Sequence, residues 1–167
     1  DLWNQDVGNI NILNLILNKI LKYNMINEVI ISSDDIETKK TLLKDKKIKF
    51  FKRTTDLTIR SRPVIDSLEK ILNKCDKKLK GITVIWPIQC PQIKLETVQE
   101  AINSLILNDA DSCIVVNEVT NPIFQRQETG LRQLNNKGFL ISDFDKLYLD
   151  TRSLIVIKNS NLSTGSL

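Results

Sequence analysis

The sequence predicts an α/β fold, with a mostly parallel sheet and helices on both of its faces, in a single domain over residues 1–167. Short runs of β-branched residues alternate with longer segments of helical periodicity, which is typical of strand–helix–strand units. The length of 167 residues fits one domain of about 100–200 residues. No internal repeat or linker divides the chain.

The first half of the chain predicts three helices and two strands. Apolar residues at helical spacing indicate a largely buried helix over residues 9–23. The β-branched run Glu28–Ser32 is typical of a strand that is buried on both faces. Asp34, with Glu37 three residues later, predicts a capped helix to about Lys44. A strand over 47–51 and a helix from Ser61 to about Cys75 follow.

The second half begins with the strongest strand prediction, residues 82–86, which Pro87 ends. A helix over Leu95–Leu107 carries one apolar stripe, and Cys113–Val116 predicts another buried strand. Gly130 marks a turn in the polar region beyond it. Two later strands are predicted over residues 139–141 and 153–158.

Composition excludes several classes of protein and site. The chain has no histidine, which excludes Ser-His-Asp triads, Cys-His dyads and His-ligated zinc. Three cysteines at spacings that match no zinc motif favour a reducing cytoplasm. No apolar run reaches the ~18 residues of a membrane span, and no signal peptide is recognisable. We therefore expect a cytoplasmic protein with no membrane partner.

The net charge of +4 does not indicate a nucleic-acid partner. The lysines cluster at residues 39–52 and 74–80, but aromatic residues make up only 5% of the chain. No aromatic side chains alternate with the lysines as stacking platforms would. Solvated helix faces explain the clusters better, and small anionic ligands remain compatible with them.

Ligands of parallel α/β sheets bind at the carboxyl ends of the strands. Three segments follow predicted strands in this way: Ser32–Asp35, Phe51–Ser61 and Trp86–Gln92. The first contains two neighbouring aspartates that can be interpreted as a metal pair, although helix capping explains Asp34 better.

Four segments in this order resemble the cytidylyltransferases that make CMP-activated acidic sugars, the CMP-sialic acid and CMP-Kdo synthetases. NEVIISSDD (residues 27–35) resembles the family's strand that ends in a Ser/Thr-Asp turn, and FKRTTDL (residues 51–57) resembles its "RPxxL" stretch. VIWPIQCPQI (residues 84–93) lies where the family has "LQPTSPL" or "VQGDEPL". Asp109–Ser112 and Val119–Pro122 resemble "DADSVVSVTEVxHP". The likeness covers roughly residues 8–160.

This resemblance implies a Rossmann-like fold of the nucleotide-diphospho-sugar transferase type. It implies an enzyme that activates a sialic acid- or Kdo-type sugar with CTP and releases pyrophosphate, with Mg²⁺ as cofactor and a homodimer as assembly. It implies a nucleotide-binding role for Arg53. Ser61, before a helix whose N-terminal N–H groups can favour an anion, and Gln89, at the tip of the strongest predicted strand, are the other candidates for binding the nucleotide. Gln125, Arg126 and Arg152 are the candidates for binding the acidic sugar, whose carboxylate needs a cationic partner.

The sequence also departs from the family pattern. The family's Gly-rich, basic loop for the triphosphate and its late metal-binding "DIDTxxDL" segment have no counterpart here, and Gln89 stands where "GDEP" has Asp. An amide is a poor substitute for a carboxylate as a ligand of a hard cation. These departures favour an alternative function, a catalytically inactive nucleotidyltransferase-like domain that serves in binding or assembly. A flavodoxin-like or receiver domain also fits the alternation, but no phosphoacceptor Asp ends a first strand.

The residues themselves leave structural roles open. Arg53 can be a surface arginine in a lysine-rich loop, Ser61 a helix cap, and Gln89 a solvent-facing turn residue. No catalytic residue and no metal ligand is assigned.

Overall fold

The computed structural model describes residues 6–8, 10–54, 64–74, 81–135 and 146–164. Four helices and nine strands lie in this part of the chain. In order they are β1 (Asp6–Val7), β2 (Ile10–Asn11), α1 (Ile12–Leu21), β3 (Val29–Ser33), α2 (Glu37–Thr41), β4 (Ile48–Lys52), α3 (Val64–Lys74), β5 (Ile82–Ile85), α4 (Leu95–Leu107), β6 (Ser112–Val119), β7 (Phe124–Gln127), β8 (Gly130–Gln133) and β9 (Leu147–Lys158). A 3₁₀ helix, Asn159–Thr164, follows β9.

Helix α1 begins where Asn11 satisfies one of its free amides. The Asn11 Oδ1 accepts a hydrogen bond from the Asn14 N–H at 2.8 Å, as expected of an N-cap residue. Ile12, Ile16 and Ile20 then lie on one buried stripe. They pack with Val29, Ile26, Trp86 and Ile88, so α1 joins β3 to the segment after β5.

The strands form several small sheets rather than the predicted, mostly parallel one. β3 and β4 pair in parallel, from Val29–Ile48 to Ser33–Lys52. β5 and β6 each pair with β9 in antiparallel fashion, so that β9 lies between them. Among the described strands, only β3 and β4 form a parallel pair, and the predicted mostly parallel sheet is not confirmed. An apolar run predicts a buried strand but not its direction. The late strand β9 runs antiparallel to both of its neighbours, β5 and β6.

Element bounds follow the predictions closely where the periodicity is strong. α4 has the predicted bounds, whereas α2 ends at Thr41, three residues before the predicted Lys44. The hairpin of β7 and β8 was not predicted, and it turns at Gly130, whose φ of 135° requires glycine. The strand predicted over residues 139–141 lies outside the described residues.

The best-buried cluster lies under α4. Its members are Val98, Ala101, Leu105, Leu154 and Val156, all at most 7% exposed. A second cluster joins Leu68 and Leu72 of α3 to Ile157, with Ile30 and Ile85 packed against it. No helix in the described part of the chain combines the length and the apolar character needed to cross a bilayer.

Candidate functional site

A cavity of about 1270 Å³ lies between β3 and β5. Its body is lined by apolar side chains of the surrounding helices and strands. Polar residues at the end of β3 and in the segments that follow β3, β4 and β5 line it as well. We call them the polar mouth: Ser32, Ser33, Asp34, Asp35, Thr38, Arg53 and Gln89. This is the edge at which α/β sheets bind ligands.

Arg53 is the first residue after β4, and its backbone and side chain both bond to the end of β3. Its N–H donates to the Ser33 carbonyl at 2.8 Å, which extends the β3–β4 pairing by one residue. Its Nη2 donates to Asp34 Oδ1 at 3.1 Å. The Arg53 side chain is 35% exposed and that of Asp34 is 59% exposed. An ion pair this exposed adds little stability, but it orients the guanidinium over the cavity.

Two polar atoms of the mouth are buried without a hydrogen-bond partner in the described part of the chain. They are Arg53 Nε and Ser32 Oγ. Burying a donor that has no partner costs about 1–3 kcal/mol. An acceptor oxygen from a ligand would satisfy such a donor, and a guanidinium binds carbonyl and phosphate oxygens especially well.

The turn after β3 is built from side chain to backbone hydrogen bonds. Ser33 Oγ accepts from the Asp35 N–H at 3.1 Å and lies 3.2 Å from Thr38 Oγ1. Asp35 Oδ1 accepts from the Glu37 N–H at 2.9 Å. The capping role predicted for Asp34 is therefore wrong: Asp35 accepts at the start of α2, and Asp34 pairs with Arg53. Both aspartates precede the helix in sequence, and the conformation of the turn decides which of them reaches the helix amides.

Gln89 lies in the turn that follows β5. Hydrogen bonds hold this turn: the Cys90 N–H donates to the Pro87 carbonyl at 3.0 Å, and Trp86 Nε1 donates to the Cys90 carbonyl at 2.9 Å. Lys19 Nζ of α1 donates to the Pro91 carbonyl at 2.6 Å. The Gln89 side chain is exposed on a turn of fixed shape, and its amide can both donate and accept.

The polar mouth offers no ready metal site. No group of three or more His, Cys, Asp or Glu side chains suited to a metal exists among the described residues. The two aspartates of the mouth already bond to Arg53 and to the Glu37 amide. The interpretation of Asp34 and Asp35 as a metal pair is therefore not supported.

The pKa of Asp109, a residue outside the mouth, is lowered because its carboxylate accepts a hydrogen bond from, and lies close to, the Lys158 ammonium.

The structure brings Arg53 and Gln89 to the same cavity. Ser61 lies outside the described residues. Gln125 and Arg126 are exposed on β7, and Arg152 is exposed in β9. None of these last three lines the cavity, and the functions predicted for all six residues stay predictions.

Sequence reasoning missed the contribution of Ser32 and the pairing of Asp34 with Arg53. The segment Ser32–Asp35 follows a strand, which is a signal for the site as a whole. The pairing joins residues 19 positions apart, and no local pattern encodes it.

Comparison with known proteins supports the fold alone. No protein-family model matches the sequence, and no curated protein matches it. The fold is similar to the crystal structure of 4-diphosphocytidyl-2C-methyl-D-erythritol synthase from Anaerococcus prevotii DSM 20548, with a TM-score of 0.68, 15% identity, and coverage of 95% of this chain and 64% of that one. A second crystal structure of a synthase with this name gives a TM-score of 0.69 at 10% identity and covers 99% of this chain and 77% of the other. The chain thus spans less than two thirds of the first structure's length.

Proposed function

We propose that this chain belongs to a cytidylyltransferase and that the polar mouth binds its cytidine nucleotide. Both similar structures are named as synthases of a diphosphocytidyl compound, so their product contains cytidine. The sequence resemblance to the CMP-sugar synthetases also implies a cytidine nucleotide, and it rests on sequence segments and not on the similarity of fold. The observation that carries the proposal is Arg53, which Asp34 holds at the mouth while its Nε is buried without a partner.

The mouth contains groups suited to binding a nucleotide. Arg53 Nε and Ser32 Oγ are donors for a base carbonyl or a phosphate oxygen. Hydrogen bonds that involve a charged group contribute about 1.5–3 kcal/mol each. The Gln89 amide, in the turn after β5, can donate to or accept from a base edge or a ribose hydroxyl.

The proposed reaction joins CTP to an acidic sugar of the sialic acid or Kdo type. The anomeric hydroxyl oxygen bonds to the α-phosphorus in line with the leaving group, and the bond from the α-phosphorus to the bridging oxygen breaks. Pyrophosphate leaves, and the hydroxyl proton passes to solvent or to a base. A cationic side chain would pair with the sugar carboxylate, and Arg126 and Arg152 are the proposed candidates. Gln125, next to Arg126 in β7, is the proposed polar contact.

Mg²⁺, a homodimer and a cytoplasmic location complete the proposal as implications of the resemblance and composition. Because the described residues form no metal cluster, no step of the proposed reaction is assigned to Mg²⁺. In nucleotide sites Mg²⁺ often has only one or two carboxylate ligands, and the substrate phosphates supply others. The requirement for Mg²⁺ is therefore tested with the nucleotide present.

The first test is thermal unfolding with CTP, CMP, ATP or GTP, each with and without Mg²⁺. A ligand at 100 times its Kd adds about 2.7 kcal/mol to the free energy of unfolding. For a chain of this size that raises Tm by roughly 5–11 °C. We expect such a shift with the cytidine nucleotides only, and its loss in Arg53→Ala. Arg126→Ala, which removes an exposed arginine from β7, is the matched control and should keep the shift.

Two results would contradict this assignment: an equal shift with ATP and CTP, or a full CTP shift in Arg53→Ala. Release of pyrophosphate from CTP and a sugar then separates the two functions that the sequence left open. Cytidine-specific binding without pyrophosphate release, in a protein with its natural termini and all six predicted residues intact, would favour the inactive binding module over the enzyme.

A further inference from the structure

The Asp34 carboxylate has the wrong charge for contact with a phosphate. It lines the cavity, and its side chain is 59% exposed. Its Oδ1 accepts a hydrogen bond from Arg53 Nη2, and its Oδ2 has no hydrogen-bond partner in the described part of the chain. Like charges repel each other at short range, and an ionised carboxylate only accepts hydrogen bonds. Asp34 therefore suits a neutral part of a nucleotide that donates them.

Arg53 fixes the position of this acceptor and supplies a donor beside it. The Arg53 N–H donates to the Ser33 carbonyl at 2.8 Å, which ties the backbone of Arg53 to the residue before Asp34. The guanidinium presents several N–H donors in one plane. One of them bonds to Asp34 over 3.1 Å, and the Nε donor is buried without a partner among the described residues. The mouth thus holds an acceptor and a donor side by side.

Cytosine has the complementary pattern along one edge. Its N4 amine donates hydrogen bonds, its neighbouring ring N3 accepts them, and aspartate is a usual acceptor for this amine. Uracil has the opposite pattern, because its O4 accepts and its N3–H donates. With uracil, two acceptors would face each other at Asp34 and two donors at Arg53. The pair of Asp34 and Arg53 therefore favours cytosine and disfavours uracil.

A third group distinguishes cytosine from adenine. Adenine also has an amine beside a ring acceptor, so Asp34 and Arg53 alone would accept both bases. Cytosine continues along the same edge with the carbonyl O2, whereas adenine has a C–H group there. Ser32 Oγ, at the end of β3, is buried without a partner in the described part of the chain. It can donate to the carbonyl of cytosine and would stay unpaired with adenine, at a cost in binding.

We propose that Asp34 is the residue that selects cytosine over uracil, by accepting a hydrogen bond from the N4 amine while Arg53 donates to N3. The inference rests on the proposed nucleotide-binding function, and it adds the base edge that is bound and the residue that decides between two pyrimidines. A well-formed pair of hydrogen bonds to a base edge gives roughly 5–150-fold discrimination against the wrong base.

Asp34→Asn tests the proposal, because it replaces an acceptor by a donor and leaves the shape almost unchanged. Since Arg53 is a donor, it should hold the amide oxygen of the asparagine and turn the NH₂ group toward the base, where this group can donate to the uracil O4. Titration calorimetry with CTP and with UTP measures the dissociation constants. We expect wild type to prefer CTP by at least about 10-fold. The variant should lose this preference and bind UTP more tightly than wild type does.

The ratio of the two dissociation constants isolates the contribution of the base. CTP and UTP have the same triphosphate and ribose, so the loss of a negative charge at Asp34 affects both nucleotides equally and cancels in the ratio. Asp45→Asn is the matched control. Asp45 is also an exposed aspartate in a turn, its Oδ1 accepts from the Lys47 N–H at 2.8 Å, and it does not line the cavity. This variant should keep the wild-type ratio.

Two results would overturn the inference and leave the proposed function standing. One is a wild type that binds CTP and UTP equally but ATP and GTP far more weakly. The other is an Asp34→Asn variant that keeps the wild-type ratio, which would show that Asp34 only orients Arg53 or contacts the ribose. If wild type shows no preference for CTP over ATP and GTP, the proposed function is wrong, and the inference fails with it.

Discussion

At the scale of the residue, Asp109 combines two functions, one in its backbone and one in its side chain. It follows α4 with φ at 48°, the left-handed conformation common after helix ends. The Ala110 N–H donates to the Leu105 carbonyl and the Asp109 N–H to the Ile106 carbonyl, which is the Schellman pattern. The carboxylate also pairs with Lys158, so it fastens the end of α4 to β9.

Asp109→Asn should remove the charge and keep the helix end, because Asn also tolerates the left-handed conformation. The ion pair lowers the pKa of Asp109 in the folded protein. Its contribution is therefore complete above the unfolded pKa of about 3.9 and is lost as the pH falls through the lower, folded pKa. Urea unfolding at pH 7 and pH 3 should show wild type more stable than the variant at pH 7, with a smaller difference at pH 3. A difference that is independent of pH would refute the assignment.

Arg152 is a second residue with positive φ, at 51°. It lies in the irregular part of β9, where the register with β6 shifts between Ile114 and Val116, and its N–H donates to Asp150 Oδ1 at 2.8 Å. A β-branched side chain is strongly disfavoured there.

Arg152→Val should lower the free energy of unfolding by about 1–2 kcal/mol, whereas Arg152→Gly should not lower it. Chemical denaturation of both variants measures the difference. Arg126→Val is the control, because Arg126 is exposed in the regular strand β7, where valine is well tolerated. Equal effects of valine at positions 152 and 126 would mean that the backbone at Arg152 carries no strain.

At the scale of the element, α4 offers a matched pair of leucines. Leu105 is fully buried against Val98 and Leu154, whereas Leu107, two residues later, is 83% exposed. Leu105→Ala should lower the free energy of unfolding by about 2–5 kcal/mol, because it leaves a cavity. Leu107→Ala should change it by no more than about 0.5 kcal/mol. Similar losses in the two variants, measured by chemical denaturation, would show that the α4 cluster is packed differently.

The helices were easier to predict than the sheets for a physical reason. A helix makes its hydrogen bonds within a few residues, so its apolar spacing and caps are local, and the bounds of α4 follow from them. A strand bonds to another strand that can lie anywhere in the chain. The pairing of β9 with β5 and β6 joins residues from 28 positions apart (Val119 and Leu147) to 76 positions apart (Ile82 and Lys158). The register shift near Arg152 has no local signal.

At the scale of the whole molecule, one cavity brings together parts of the chain that are distant in sequence. Side chains of α1, α3 and α4 line its body together with β3 and β5, and the polar mouth lies where β3, β4 and β5 end. The nucleotide site that we propose therefore depends on the tertiary arrangement of these elements, and no single segment of the chain forms it.

The sequence by itself determined the α/β class, the helices, most of the strand positions, the exclusion of histidine chemistry and the segments that follow the strands. These properties depend on residue types and on short spacings. Only the tertiary structure decided the order and direction of the strands, the pairing of Asp34 with Arg53, the hydrogen bond that Asp35 accepts from the Glu37 N–H, and the cavity between β3 and β5. Each of these features either joins residues that are distant in the chain or depends on the backbone geometry of a turn. Hydrophobic patterning indicates which residues are buried, but it does not indicate the residues against which they pack.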